Sequence, residues 1–188
     1  MSGLIVACIR TSESTPFDLV TTMRNRVAKN LLLPYTMICL TDQPERCSDV
    51  TFVDVGAFDL MGWWNKMVVF EPLWRGRAKV IYLDLDIDIV GDLSPLADVP
   101  GEFAILSQKH VAGRYNSAVM VLGGGMGNFV WHGFERRREL LMMTHRLAGP
   151  SSCIEELYPS APFLQRLLPP DFFEKHLRRS RLDARRSL

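Results

Sequence analysis

One apolar run in the middle of the chain, VIYLDLDIDIV from Val80 to Val90, restricts the fold more than any other feature. Its first part, VIYL, is continuously apolar, which is typical of a strand buried on both faces of a parallel sheet. Its second part places three carboxylates, Asp84, Asp86 and Asp88, at every second position. Because an unpaired carboxylate is costly to bury, the run predicts a central strand whose end carries functional carboxylates.

The segments around this strand alternate between apolar strands and amphipathic helices. Strand patterns occur at LIVACIR, YTMICLTD, TFVDV, FAILSQ and YNSAVMVLGGG, and helical patterns at TPFDLVTTMRNRVAKNL, GWWNKMVVFEPLW and NFVWHGFERRRELLMM. Thr15 is the predicted cap of the first helix, and Pro16 is its first residue. The second helix is predicted to bury Trp63 and Met67 on one face. The alternation predicts an α/β fold with a mainly parallel, mixed sheet flanked by helices.

Length and charge favour one globular domain with a distinct C-terminus. We expect a single domain over residues 1–173 of the 188, followed by a basic tail over 174–188, which carries six basic and two acidic side chains. The tail is either a solvated, frayed terminus or a weak contact with an anionic membrane surface. The remaining chain has no basic excess, which argues against nucleic-acid binding.

Cellular location is predicted from the first strand and from the cysteines. The apolar start LIVACI lacks a basic leader and a small-residue cleavage site, so it is interpreted as a strand and not as a signal peptide. The four cysteines are scattered without a CxxC pair, and two lie inside apolar strand patterns. A reducing cytoplasm is the expected location.

Polar side chains follow three of the predicted parallel strands. Arg10 and Thr11 end the first strand, Asp42 ends the second, and Asp84 and Asp86 end the acidic strand. Ligands of open α/β sheets bind outside the carboxyl ends of the strands, so we expect these groups to share one site. In an extended segment Asp84 and Asp86 point the same way, and two carboxylates suit Mn²⁺ or Mg²⁺ held together with substrate phosphates.

Two other motifs share the acidic pattern. An EF-hand loop needs Gly at its sixth position and Glu at its twelfth, where this chain has Ile89 and Pro95, so that interpretation fails. Haloacid-dehalogenase phosphatases also place D-x-D after a buried strand and use the first Asp as nucleophile. Their pattern continues with Gly-Thr, where this chain has Ile87 and Asp88. Such a phosphatase remains an alternative.

With its neighbouring motifs, the chain resembles glycosyltransferases of the GT-A fold, in particular family eight, the glycogenin and lipopolysaccharide galactosyltransferase group. The stretch YLDLDIDIVGDLSPL is similar to the family's D-x-D strand and the turn after it. GWWNKMVVFEPLWRGRAKV is similar to its preceding helix, YNSAVMVL to its Asn-Ser-Gly/Ala strand, and CIRT and CLTD to its first two strand ends. The resemblance covers roughly residues 4–134.

The resemblance implies a hexosyltransferase that uses a nucleoside-diphosphate sugar, most often a UDP-sugar, with Mn²⁺ or Mg²⁺ and retention of anomeric configuration. The acceptor is a hydroxyl group on an unidentified glycan, lipid or protein. The implied roles are metal binding for Asp84 and Asp86, with Asp84 also near the ribose, contact with phosphate or sugar for Lys66, sugar binding for Asn116 and Ser117, and a nucleoside frame made of Arg10, Thr11 and Asp42. From the residues alone, Asn116 and Ser117 equally suit a structural role at a strand end, and Asp42 suits a turn cap.

Two of the family's motifs are missing from this chain. Pro150 and Ser151, within AGPSSCIEEL, stand where family members have the polar pair of a Gly-Asp-Gln motif. No His-Gly segment follows, and His176 is the only late histidine. Two hypotheses therefore stand, an active but shortened transferase and a degenerate relative that binds without turnover. Asp88 is predicted to lie past the strand end, solvated or bonded in a turn.

Overall fold

A computed structural model describes residues 3–11, 15–111, 113–126 and 128–179 of the chain. Its strands are, in chain order, β1 (Leu4–Arg10), β2 (Thr36–Thr41), β3 (Thr51–Asp54), β4 (Lys79–Leu83), β5 (Ile87–Ile89), β6 (Phe103–Ser107), β7 (Tyr115–Leu122) and β8 (Leu177–Arg179). In this described part, six strands form one sheet in the order β3-β2-β1-β4-β7-β6, and β5 pairs with β8 in a second, small sheet.

The helices of the described chain cover both faces of the large sheet. They are α1 (Asp18–Asn30), a 3₁₀ turn (Gly56–Phe58), a 3₁₀ helix (Gly62–Phe70), α2 (Ser94–Asp98), α3 (Asn128–Arg136), α4 (Arg138–Thr144), α5 (Pro150–Leu157), α6 (Leu164–Leu167) and α7 (Phe172–His176). The 3₁₀ helix, α3 and α5 bury their apolar residues against one face, and α1, α2 and α7 against the other. No described helix is long and apolar enough to cross a membrane.

Strand β4 lies inside the sheet, as its continuous apolar sequence predicts. It pairs in parallel with β1 and antiparallel with β7, while β1, β2 and β3 run parallel to one another. Its residues 80–83 are all fully buried, because one core lies on each side of the sheet. The expectation of an α/β fold with a mixed sheet is confirmed.

Local helix predictions needed three corrections. Helix α1 begins at Asp18 with Phe17 in the cap position, so Thr15 is not the cap, although the helix buries the predicted apolar stripe. The segment containing Trp63 is a 3₁₀ helix, and Trp63 is 56% exposed because the tighter winding turns Trp64 toward the core instead. The single long helix predicted after residue 127 is broken at Arg137, whose φ and ψ of −128° and 20° are not helical.

The acidic run turns where it was expected to stay extended. The amide of Ile87 donates a hydrogen bond to the carbonyl of Asp84 at 3.0 Å, which closes a turn between β4 and β5. Asp88 therefore lies on β5, opposite Arg178 of β8, and pairs with Arg26 of α1 at 2.7 Å. Asp88 does lie past the end of β4, but the prediction that it is solvated or bonded in a turn is wrong, because the chain forms a second strand there and Asp88 pairs with Arg26.

The first residues of the predicted basic tail are part of the packed structure. Residues 174–179 complete α7 and form β8. Leu177 of β8 is buried, and β8 pairs with β5. Gly91 lies against this segment so closely that a Cβ there would stand 2.6 Å from the His176 ring. Residues 180–188, with three of the tail's arginines, lie outside the described residues. The membrane contact predicted for the tail stays a prediction.

Candidate active site

The carboxyl end of β4 fixes the position of Asp84. Its amide donates a hydrogen bond to the carbonyl of Ala118 on β7 at 2.9 Å, which continues the strand pairing for one residue beyond β4. Its side chain leaves the sheet half-buried at the end of a strand whose other residues are enclosed. The carboxylate is thereby held where the parallel strands end, as the sequence predicts.

Lys66 reaches this carboxylate from the 3₁₀ helix that covers the sheet. Its ammonium lies 2.7 Å from each of the two carboxylate oxygens of Asp84 and 3.3 Å from the hydroxyl oxygen of Ser117. The lysine side chain is 15% exposed and that of Asp84 23% exposed. Buried residues lie on either side of Lys66. Met67 packs into the core, and the Asn65 side chain donates to the carbonyls of Leu60 at 2.7 Å and Gly62 at 3.1 Å, which holds the start of the helix.

Tyr82 adds a second donor to the same carboxylate. Its hydroxyl donates to Oδ1 of Asp84 at 2.6 Å from a fully buried ring. Burial, followed by the negative charge of Asp84 and the hydrogen bond to it, raises the pKa of the Tyr82 hydroxyl well above its ordinary value. The tyrosine thus stays protonated and orients Asp84 toward the edge of the sheet. In the sequence, Tyr82 is only one residue of the apolar run VIYL.

Ser117 and Ser151 connect β7 to the first turn of α5. Ser117 donates its backbone amide to the Ser151 hydroxyl oxygen at 3.1 Å, and the two hydroxyl oxygens lie 2.9 Å apart. Ser151 stands where the resembling family has a motif that this chain lacks, and it completes a continuous polar chain through Ser117 to Lys66 and Asp84. No local pattern could have indicated this, since 34 residues separate the two serines.

Asn116 lies beside Ser117 on β7 and bonds within its own strand. Its side-chain oxygen accepts a hydrogen bond from the amide of Ala118 at 3.0 Å. This is the local structural role that the sequence left open for Asn116. The sugar-binding role of Asn116 stays a prediction.

Arg10 organises the loops after β1 and β2. It is 7% exposed, donates to the carbonyls of Thr15 at 2.9 Å and Gln43 at 3.3 Å, and pairs with Glu45 at 3.0 Å. Thr11 follows it half-buried. The nucleoside-framing role predicted for Arg10 would therefore be exerted through the loops that it fixes.

Asp42 and Asp86 complete the predicted set at the ends of β2 and β4. Asp42 is exposed directly after β2, and Asp86 is half-buried in the turn that follows Asp84. The structure thus brings Asp84, Lys66 and Ser117 into direct contact and places the other predicted residues at the same edge of the sheet. The roles assigned to them stay predictions.

The fit of a divalent cation depends on Asp84 and Asp86. Among the described residues, no group of three or more His, Cys, Asp or Glu side chains is placed to hold a metal ion. Two carboxylates suit a Mg²⁺-like ion that takes its other ligands from substrate phosphates and water. Asp84 already binds one cation, the Lys66 ammonium, with both oxygens. The residues present therefore fit a metal that arrives together with a phosphorylated ligand.

Comparison of the sequence with protein-family models finds no match, and comparison with curated proteins finds none either. Solved structures do match the fold. The glycosyltransferase GlyE of Streptococcus pneumoniae is similar with a TM-score of 0.64 and 16% identity, over 87% of this chain and 45% of its own. The bifunctional glycosyltransferase WbbM is similar with a TM-score of 0.61 and 14% identity, over 87% of this chain and 39% of its own.

A third similar structure is the galactosyltransferase LgtC in complex with donor and acceptor sugar analogs. It has a TM-score of 0.60 and 11% identity, over 85% of this chain and 72% of its own. The chain thus spans less than half the length of GlyE and WbbM. At these identities the likeness concerns the fold, and the chain has the GT-A-type fold of these glycosyltransferases, as its resemblance to family eight implies.

Proposed function

We propose that the protein is a metal-dependent hexosyltransferase, which moves a sugar from a nucleoside diphosphate, UDP in the first instance, to an acceptor hydroxyl with retention of anomeric configuration. The observation that carries the proposal is the contact of Lys66 with Asp84 and Ser117 at the carboxyl end of β4. It supports the proposal because a cation and a carboxylate meet at the sheet edge where α/β folds bind ligands. The GT-A-type fold supports it independently.

The chemistry of transfer needs stabilisation of negative charge. Breaking the bond between sugar and phosphate leaves a diphosphate, which is a weak base and needs no carboxylic acid to protonate it. A Mn²⁺ or Mg²⁺ ion held by Asp84 and Asp86 would supply positive charge next to the diphosphate oxygens. The Lys66 ammonium, already in the site and largely shielded from water, would provide further hydrogen bonds to the developing charge.

The neutral side chains of the site suit a sugar. Ser117 places its hydroxyl beside the Lys66 ammonium, Ser151 bonds to that hydroxyl from α5, and Asn116 lies next to Ser117 in β7. Hydroxyl and amide groups both donate and accept hydrogen bonds, as the hydroxyl groups of a hexose require. Tyr82 and the strand pairing at Ala118 hold Asp84 in place before the donor binds, which lowers the ordering cost of binding.

A thermal-shift experiment tests the proposal. UDP with Mn²⁺ should raise the melting temperature, since a ligand at about one hundred times its Kd stabilises a protein by about 2.7 kcal/mol, or roughly 5–10 °C at this size. Asp86→Asn should abolish the shift. Asp88→Asn is the matched control, because Asp88 pairs with Arg26 and its neutralisation should cost only about 0.5 kcal/mol of stability.

Turnover is tested separately, by release of UDP from a panel of UDP-sugars. Hydrolysis or transfer that requires Asp86 and Lys66 is expected. If no nucleoside diphosphate shifts the melting temperature in the presence of Mn²⁺, both the transferase and the nucleotide-sugar binder are excluded. Loss of the shift in Asp88→Asn to the same extent as in Asp86→Asn would contradict the separate roles given to these carboxylates.

A nucleotide-sugar binder without turnover is the second candidate. The specific observation in its favour is that Pro150 and Ser151 open α5 at the site, where the resembling enzymes carry Asp and Gln. A nucleotide-dependent thermal shift without release of UDP would identify it. The phosphatase alternative predicts turnover of nitrophenyl phosphate that depends on Asp84. This turnover is measured on the same purified protein.

A further inference from the structure

An open cleft of about 370 Å³ lies next to the candidate site and has no role in the function proposed above. Its volume is in the range of small-molecule binding sites. It lies between the start of β7, helix α5 and the segment that leads into α6. Its lining includes Gly113, Tyr115, Glu155, Ser160, Phe163 and Arg166.

Glu155 lines the cleft, and its carboxylate is held by hydrogen bonds. One of its oxygens, Oε2, accepts hydrogen bonds from Nε of Arg114 at 3.0 Å and from the amide of Tyr115 at 3.2 Å. Arg114 also donates to the hydroxyl of Ser152 at 3.3 Å. The other oxygen of Glu155 forms no hydrogen bond with any residue in the described part of the chain. The carboxylate is therefore oriented and keeps an acceptor oxygen for a ligand.

Tyr115, Ala161 and Phe163 also line the cleft and are held by contacts with one another. The Tyr115 hydroxyl accepts from the amide of Ala161 at 2.8 Å and donates to the carbonyl of Tyr158 at 2.8 Å. The ring of Phe163 packs edge-on against Tyr115 with centroids 5.8 Å apart. The guanidinium of Arg166 lies 5.5 Å from the Phe163 ring centroid, and within the described chain it forms no ion pair. An exposed arginine thus faces the cleft from a rigid aromatic base.

The cleft and the candidate donor site take residues from the same strand and the same helix. Tyr115 and Ser117 lie two residues apart on the same face of β7, which is roughly 7 Å along a strand. Ser151 and Glu155 lie one turn apart on α5, which is roughly 6 Å along a helix. The cleft and the Lys66–Asp84–Ser117 site are thus neighbouring parts of one surface.

We infer that this cleft binds the acceptor, and that the acceptor is a saccharide carrying an anionic group. The inference rests on the proposed transferase function. The guanidinium of Arg166 recognises phosphate or carboxylate oxygens through paired hydrogen bonds. The free oxygen of Glu155 and the hydroxyl of Ser160 accept hydrogen bonds from sugar hydroxyl groups. A phosphorylated sugar and a uronic acid share this chemistry, and the experiment separates them.

Binding is measured by saturation-transfer NMR with three probes: methyl glucoside, its 6-phosphate and methyl glucuronide. The wild-type protein should bind at least one anionic probe about tenfold more tightly than methyl glucoside. Arg166→Gln should remove this preference. Arg77→Gln is the matched control. Arg77 is also an exposed arginine, but it lies near the start of β4, whereas the candidate site lies at the end of that strand.

Preference for the 6-phosphate alone would identify a phosphorylated acceptor. Preference for the glucuronide alone would identify an acceptor that contains a uronic acid. Equal binding of all three probes, absence of binding, or an unchanged preference in Arg166→Gln would overturn the inference. The thermal shift with UDP and Mn²⁺ is recorded on the same samples. A shift without probe preference overturns only the assignment of the cleft, whereas preference without a shift contradicts only the proposed nucleotide-sugar site.

Discussion

The ammonium of Lys66 lies 2.7 Å from both carboxylate oxygens of Asp84. In the GT-A-type fold this chain adopts, that carboxylate directly follows the central strand β4, where a phosphorylated ligand and its metal ion are proposed to bind. The lysine therefore occupies the coordinating oxygens of Asp84 until a stronger cation competes for them. This exchange gives the first prediction.

Replacement of Lys66 by Met should increase the affinity for Mn²⁺ in the absence of nucleotide. The ammonium no longer competes for Asp84, and the uncompensated carboxylate gains more from a cation. We expect a larger Mn²⁺-induced rise in melting temperature than in the wild type, from a starting stability lowered by about 1–3 kcal/mol. Titration calorimetry with Mn²⁺ gives the affinity directly.

Lys79→Met is the matched control for this experiment. Lys79 is also a partly buried lysine, but its ammonium donates to the carbonyls of Ala97 and Val99, away from Asp84. It should lose stability without any gain in Mn²⁺ affinity. An equal Mn²⁺ response in Lys66→Met and the wild type would show that the lysine and the metal do not compete.

Replacement of Tyr82 by Phe should destabilise the domain by about 1.5–3 kcal/mol, because a hydrogen bond to a charged group is lost. Urea denaturation measures the difference. Tyr35→Phe is the control, since the Tyr35 ring is half-buried and its hydroxyl forms no hydrogen bond within the described chain. A Tyr82→Phe variant as stable as Tyr35→Phe would mean that the contact with Asp84 contributes nothing.

The same tyrosine gives a prediction for alkaline pH. The pKa of Tyr82 is raised above its ordinary value of 10.0 in the folded state, so above pH 10 the unfolded chain releases a proton that the folded chain retains. Its contribution to stability is complete below pH 10 and is lost as the pH rises, by up to about 1.4 kcal/mol per pH unit. Tyr82→Phe should show a shallower loss of stability from pH 10 to 11. An identical slope in both proteins would contradict the raised pKa.

Replacement of Arg10 by Lys should lower both stability and affinity for UDP with Mn²⁺. One guanidinium serves the carbonyls of Thr15 and Gln43 and the carboxylate of Glu45, and a single ammonium cannot reproduce that planar arrangement. We expect a loss of about 1.5–3 kcal/mol in urea denaturation, from lost hydrogen bonds of a charged group, and weaker nucleotide binding in titration calorimetry. Arg24→Lys is the control, because among the described residues Arg24 forms its one ion pair with the exposed Asp49, at 3.5 Å. Wild-type UDP affinity in Arg10→Lys would contradict the role of these loops in nucleotide binding.

Only one of the four cysteines should react quickly with iodoacetamide in the folded protein. Cys47 is half-buried, whereas Cys8, Cys39 and Cys153 are buried. A hydrogen bond with Cys39 and burial raise the pKa of the Cys8 thiol, and burial raises that of Cys153 to about 12, so both stay in the unreactive thiol form. Mass spectrometry should show one modification, absent in Cys47→Ser. Fast modification of Cys153 would contradict the packing of α5.

The sequence alone determined the sheet and the place of the acidic pair. A continuous apolar run such as VIYL is stable only with both faces covered, which makes β4 an inner strand wherever the rest of the chain packs. The alternation of strands and helices then brings the ends of the parallel strands to one edge of the sheet. Asp84 lies at that edge because it is the residue directly after β4. These conclusions depend on local periodicity, which the order of residues carries by itself.

The contacts within the site were decided only by the tertiary structure. Lys66 and Asp84 are 18 residues apart, and Ser117 and Ser151 are 34 residues apart. Whether such pairs meet depends on how the 3₁₀ helix and α5 pack on the sheet. Asp88 shows the same dependence, because its strand exists only through pairing with β8 near the other end of the described chain. Side chains that are distant in sequence become neighbours through packing against a shared core, and no local pattern specifies that geometry.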